Sequence, residues 1–219
     1  MKIKIEKLVP RVYVTTFDTQ YALCMAFVRI QEFYESPKFK GKVFSLEEFM
    51  DYWSEEFGNG SFTYPSVWGG FNLPGSVILE WFGNFIAEKQ EIRHKELELI
   101  KEIILAVGSI EELSKSYIIG VHSKSEKAST EHELAHAIYH LYPEYKDSCD
   151  NLIEKLPKLV YAKSRAKLVM AGYGRSVLDD EMQAYFSTSG KTQLDMIQGR
   201  KMFRDNFKNF QKKLGAKKN

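Results

Sequence analysis

The spacing of apolar residues predicts a mainly helical chain interrupted by a few short strands. Val12-Tyr13-Val14 reads as a strand, and Asp18 is placed to cap a helix through Tyr21, Ala22, Met25, Phe27, Val28, Ile30 and Phe33 that ends near Pro37. Ser45-Leu46-Glu47-Glu48 is a capping box, a hydroxyl residue with Glu three positions on, opening a helix that carries Phe49, Tyr52 and Trp53. Leu97, Leu99, Ile100, Ile103 and Leu105 give helical spacing between Glu96 and Val107. Tyr117-Ile118-Ile119-Gly120-Val121 is rich in β-branched residues and reads as a short buried strand. A helix is then expected from Ser129 or Thr130, whose hydroxyls can cap free N–H groups, to a stop before Pro143. Leu178 to Phe186 reads as the first turns of another helix, with acids where the helix dipole favours them.

Two segments depart from this simple pattern. Between Gly58 and Gly75 the chain is dense in Gly, Pro and aromatic residues (Phe62, Tyr64, Pro65, Trp68, Phe71, Pro74), which predicts an ordered loop with pinned turns. It can serve either as a plug onto the core or as a wall over a site. From Thr192 onward, Met196, Phe203, Phe207, Phe210 and Leu214 are spaced for an amphipathic helix. Its polar side carries Arg200, Lys201, Arg204, Lys208, Lys212 and Lys213, with Lys217 and Lys218 beyond Gly215. The reading is a packed helix with a solvated basic face.

Composition then sets bounds. The chain has 219 residues, 44% of them hydrophobic, enough for one full domain with a sizeable core. The expected organisation is a single domain, 1–219, with a helical N-terminal part over 1–110, a core over 111–190 and the basic helix and tail over 191–219. A net charge of +2 argues neither for nor against nucleic acid, which is not the expected partner. Cys24 and Cys149 are too few for a disulfide framework and fit a reducing compartment. No apolar run reaches membrane-spanning length, and Met1 to Lys7 lacks the apolar stretch of a signal peptide, so a cytoplasmic location is expected. Cys24 sits among apolar helix neighbours with no nameable base, which argues against a nucleophile.

The most informative chemistry is His132-Glu133-Leu134-Ala135-His136. Residues four apart share a helix face about one turn from each other, so His132 and His136 can aim ring nitrogens at one ion. Glu133 projects about 100° round the helix, within reach of a water on that ion. His140 continues the spacing, but on a straight helix it lies ~12 Å along the axis from His132, too far to share the ion. Ala137, Ile138 and Tyr139 offer no break that would bring it back. A third ligand is instead expected in Leu178-Asp179-Asp180-Glu181-Met182-Gln183-Ala184-Tyr185-Phe186. Glu181 is the first choice because Ala184 and Tyr185 share its face and Ala184 allows close helix approach. Asp180 is the alternative, and these acids can also act simply as helix-start residues. Asp179 or Asp180 could hydrogen-bond the far nitrogen of a ligand His.

His132-Glu133-Leu134-Ala135-His136, followed by the acidic Asp-Glu-x-x-Ala-Tyr helix, resembles the zincin metallopeptidases, and within them the gluzincin branch, whose third ligand is a Glu on the next helix. The resemblance covers about residues 117–186. It implies an α+β fold, mainly helical with a small sheet and a zincin-like metallopeptidase core. It also implies Zn2+ held by His132, His136 and Glu181, Glu133 as the catalytic base, and a peptide or protein substrate lying along a strand near Tyr117 to Val121. Tyr173, Tyr185 and Arg175 are the candidate donors to a developing oxyanion. The alternative is a binding protein derived from such a fold that keeps the metal without cleaving, or an interaction module around a structural zinc. Glu133 argues against the first, because binding alone needs no base. Three good ligands rather than four argue against the second.

Overall fold

The computed structural model describes residues 3–124, 126–171, 173–188 and 197–215. The chain divides into two compact units, Met1–Thr130 and Glu131–Asn219. The described residues are mainly helical with one small mixed sheet, an α+β arrangement.

The first unit begins with β1 (Ile3–Val9) and β2 (Val12–Phe17), followed by α1 (Gln20–Glu35), α2 (Leu46–Glu56), α3 (Tyr64–Val67), β3 (Gly70–Pro74), α4 (Gly75–Ala87), α5 (His94–Val107), α6 (Ile110–Ser114) and β4 (Tyr117–His122). The sheet runs β1-β2-β4-β3. β1 and β2 form an antiparallel hairpin with a register shift between Lys7 and Val9. β2 then pairs parallel with β4, Val12 opposite Tyr117 through Phe17 opposite His122, and β3 closes the far edge antiparallel to β4. Parallel neighbours need a crossover, and α1 to α6 supply it. The strand expected over Val12–Val14 extends to Phe17, with the Thr15 hydroxyl donating to the Ile119 carbonyl at 3.0 Å.

α1 packs on the sheet through Leu23 and Phe27. An added Cβ at Gly120 of β4 would lie 2.8 Å from Phe27 and 2.9 Å from Leu23, so the helix can seat this closely only over glycine. The cap of α1 is Thr19 rather than Asp18: its side chain accepts from the Ala22 N–H at 3.1 Å. Ser45 caps α2 as expected, accepting from the Glu48 N–H at 3.0 Å. The buried Arg29–Glu96 ion pair ties α1 to α5.

The aromatic segment is folded rather than a bare loop, since α3 and β3 lie within it. Tyr64 and Phe71 are buried in the core of this unit, with Trp53 and Tyr64 ring centres 4.8 Å apart and Phe27 and Phe71 5.4 Å apart. The segment plugs onto its own core, and Gln20 holds its end by donating to the Trp68 carbonyl at 2.9 Å. Cys24 is buried, and burial, reinforced by Glu32, pushes its thiol up to about 12, so it is no nucleophile at neutral pH.

The boundary between units falls within α7 (Glu126–Leu141). This helix starts before Ser129 and Thr130, which therefore lie inside it and are not caps. Glu126, Lys127 and Ala128 are good helix formers, and they extend the helix backwards. It stops, as expected, before Pro143, which opens α8 (Pro143–Glu154) at a position where its missing N–H costs nothing. α8 buries Tyr145, Cys149 and Ile153 along one face, while α9 (Lys158–Met170) buries only Ser164 and Leu168. A 3-10 turn over Arg175–Val177 leads into α10 (Leu178–Thr188), and α11 (Ile197–Lys213) ends the described chain.

α11 packs by Phe203 and Phe207, with the Phe186 and Phe203 ring centres 5.1 Å apart. Arg200 is not on the solvated side as expected. It lies three residues before Phe203 and seven before Phe207, hence on the same face, and is buried. Lys201, Lys208, Lys212 and Lys213 are exposed, and Lys213 pairs with Glu144 at 2.9 Å. Met196, Lys217, Lys218 and the expected helix start at Thr192 lie outside the described residues. No described helix is long and apolar enough to cross a membrane.

Candidate metal centre

α10 and the part of α7 from Glu131 onward, both in the second unit, build the site. α7 is held in place by Leu134, Ala135, Ala137 and Ile138, all buried, and this apolar stripe leaves His132 and His136 on a neighbouring face. α10 is seated by Leu178, Met182, Ala184 and Phe186, also buried. That seating turns Glu181 towards the two histidines.

The resulting donor geometry is compact. The Nε2 atoms of His132 and His136 lie 3.3 Å apart. Glu181 reaches both, with Oε2 3.8 Å from the His132 Nε2 and Oε1 3.6 Å from the His136 Nε2. One ligand atom from each of the three residues fits within a 4.8 Å span. Ligands held at roughly 2.0–2.1 Å on a tetrahedral ion sit about 3.3–3.4 Å from one another. The two Glu181 distances are to different oxygens, so closing the set on zinc through one of them draws the widest pair in by about 1.4 Å, a shift that rotation of the Glu181 side chain can supply.

The far nitrogens explain why both Nε2 atoms turn inward. The His136 Nδ1 lies 2.8 Å from the Asp180 Oδ1, and a carboxylate can only accept, so this Nδ1 carries a proton. The His132 Nδ1 lies 3.3 Å from the Thr188 hydroxyl, which spends its own proton on the Ala184 carbonyl at 2.7 Å and so is left to accept. Both rings then present Nε2 lone pairs to the same point. Two lone pairs at this distance repel unless a cation lies between them, either a proton or a metal ion.

Electrostatics place the proton of the metal-free pair. Burial and the neighbouring charge of His136 push His132 down, favouring its neutral form. Burial opposes protonation of His136 as well, but Asp180, and with it Glu181 and Glu133, outweighs that and raises it. The balance favours the charged form of His136 over that of His132. A metal ion entering the site displaces the proton of the pair.

Of the other residues singled out from the sequence, Glu133 is half-buried, and its charge is felt at His136, Tyr173 and Tyr185. Asp180, the alternative third ligand, is instead the hydrogen-bond partner behind His136, and Asp179 pairs with Arg165 at 2.8 Å. His140 is exposed on α7 and outside the ligand cluster. Tyr185 lies over His132, with ring centres 4.7 Å apart, and its hydroxyl is 2.9 Å from that of Tyr173. Burial pushes both hydroxyls up, keeping them protonated donors at neutral pH. Arg175 is exposed in the 3-10 turn.

Thr188, Gln183 and Tyr145 were not apparent as site residues from the sequence. Thr188 had one usable signal: it lies seven residues after Glu181, on the same helix face. The three candidate ligand side chains are unequally covered, with His132 21%, Glu181 14% and His136 6% exposed. Comparison with known proteins returned no matching family model, no similar curated protein and no similar solved structure.

Proposed function

We propose that this chain is a zinc-dependent hydrolase of the gluzincin type, a metallopeptidase built on a zincin-like core. The observation that carries this reading is the convergence of two imidazole nitrogens and one carboxylate within 4.8 Å, with a second carboxylate, Glu133, on the helix that bears the histidines. Two nitrogens and one oxygen suit zinc, and a three-ligand set leaves a place for water. When bound there, zinc would make a coordinated water acidic near neutral pH and polarise a substrate carbonyl.

The chain's own residues have separate tasks. His132, His136 and Glu181 hold the ion. Asp180 and Thr188 accept the Nδ1 protons and so keep each ring's Nε2 turned inward. Glu133 takes the proton of the attacking water and returns it to the leaving amine. Tyr173 and Tyr185 share one hydrogen bond between two hydroxyls, so one proton of the pair is left over to donate to a developing oxyanion.

The direct test is metal content by elemental analysis and cleavage of a peptide library, on wild type and on Glu133→Gln in parallel. One zinc per chain in both proteins, with cleavage in wild type alone, is the expected result. A chain that takes up no zinc when it is offered would overturn the reading.

A further inference from the structure

Behind His136 the hydrogen bonding continues past Asp180 into the core of the second unit. The Gln183 Nε2 donates to the Asp180 Oδ1 at 2.9 Å, the same oxygen that accepts from the His136 Nδ1. The Gln183 Oε1 in turn accepts from the Tyr145 hydroxyl at 3.2 Å. Gln183 and Tyr145 are both fully buried. Tyr145 is itself fixed among aromatic rings of α11, its ring centre 5.1 Å from that of Phe210 and 6.3 Å from that of Phe207.

The direction of each bond follows from what each group can do. A carboxylate offers no proton, so the Gln183 amide must turn its N–H towards Asp180 and its oxygen towards Tyr145. The reverse orientation would set an amide oxygen against the carboxylate. Tyr145, facing that oxygen, acts as the donor. Asp180 stands in the first turn of α10 with 32% of its side chain exposed, where water competes for it. Left to itself it could leave His136 for solvent. The Gln183 amide holds it on a second side, and Tyr145 in turn holds the far end of Gln183.

We propose that Gln183, braced by Tyr145, is a positioning residue that fixes the aim of His136 through the Asp180 carboxylate. Neither residue touches the ion. They act by making one Asp180 rotamer the favoured one, so that the His136 Nε2 is already in place before metal arrives. This inference rests on the metal-site reading above for its consequence, and on the buried hydrogen bonds for its existence.

The test uses the full chain as wild type, Gln183→Met, Tyr145→Phe and Met182→Leu. Met keeps the length of Gln without its amide, Phe keeps the Tyr ring without its hydroxyl, and Met182→Leu exchanges one buried apolar side chain of α10 for another of like size, which keeps the helix seated and serves as the packing control. Zinc affinity is read by chelator competition, and hydrogen exchange of the His136 Nδ1–H is read by NMR on metal-free protein. Loss of partners behind a ligand His weakens metal binding by about 10–100-fold. Gln183→Met is therefore expected to bind zinc about tenfold more weakly and to exchange that proton about tenfold faster. Tyr145→Phe, lacking one neutral hydrogen bond a step further away, should show about two- to tenfold effects. Met182→Leu should match wild type in both.

Wild-type behaviour of Gln183→Met in both measurements would overturn the proposal. So would an equal loss in Met182→Leu, because the effect would then be one of packing. If wild type bound no zinc, the hydrolase reading would fall, and the exchange comparison would still decide whether Gln183 holds Asp180 on His136.

Discussion

Replacing Glu181 by Ala tests the ligand set most directly. Glu181 reaches both histidine Nε2 atoms, at 3.8 and 3.6 Å, and it is the one carboxylate of the three-residue cluster. Four-ligand zinc sites bind with roughly 10–16 kcal/mol, or about 3 kcal/mol for each ligand. At about 1.4 kcal/mol per tenfold, losing Glu181 should weaken zinc binding by about 100-fold. The cost to folding is much smaller. Glu181 lies in the first turn of α10, where an acid interacts with the helix dipole for about 0.3–1 kcal/mol, and it fills no core position. The assay is competition for zinc against a chromophoric chelator at pH 7.5, with thermal unfolding of the metal-free proteins recorded alongside. Glu133→Gln serves as the contrast, because a general base outside the ligand set should leave affinity within about threefold while still removing activity. Wild-type affinity in Glu181→Ala would refute the geometric argument, since no other described residue joins the His132–His136 pair in such a cluster.

Other predictions reach further parts of the chain. Glu133→Gln should retain its zinc and lose peptide cleavage by about 10²–10⁴-fold in kcat, measured at saturating substrate, and an active variant would remove Glu133 from the mechanism. In the first unit, burial raises the Glu32 carboxyl to about 7 from an ordinary 4.5, against the opposing hydrogen bonds from Tyr64 and Ser36. Between those two pH values the folded chain keeps a proton that the unfolded chain has released, so stability is lost as pH rises through that window, by about 3 kcal/mol. All three Trp residues (Trp53, Trp68, Trp81) lie in this unit, so urea titrations of metal-free protein followed by Trp fluorescence will report it, and Glu32→Gln should flatten the dependence. Gly120→Ala should destabilise the same unit by about 1–3 kcal/mol, because the new methyl group meets Phe27 and Leu23 inside contact distance. A melting temperature equal to wild type would show that α1 shifts freely over β4.

Much of the local architecture was readable from residue order alone. α1, α2, α5, α10 and β4 follow from apolar spacing and capping residues, because these are short-range preferences of the backbone and its nearest side chains. α8 and α9 carried weaker signals: α9 buries only Ser164 and Leu168, too few positions to imprint a period on the sequence. β1 and β3 are edge strands whose pairing partners lie across the hairpin and across a long crossover, so their state depends on tertiary neighbours.

The same division runs through the candidate site. That His132 and His136 share a face and that Glu133 does not is a property of the α-helix itself, fixed by its residues per turn. That an acid from Leu178–Phe186 should join them was also legible, as a choice between Glu181 and Asp180. Which acid turns inward was decided by the rotation of α10 about its axis, since neighbouring residues point about 100° apart. Burial of Leu178, Met182, Ala184 and Phe186 sets that rotation, sending Glu181 to the Nε2 atoms, Asp180 to the back of His136 and Asp179 to Arg165. The hydrogen bonds from His132 to Thr188 and from Tyr145 through Gln183 to Asp180 are likewise tertiary. They join residues up to 56 positions apart in the chain, and only packing of side chains around α10 brings them within hydrogen-bonding distance.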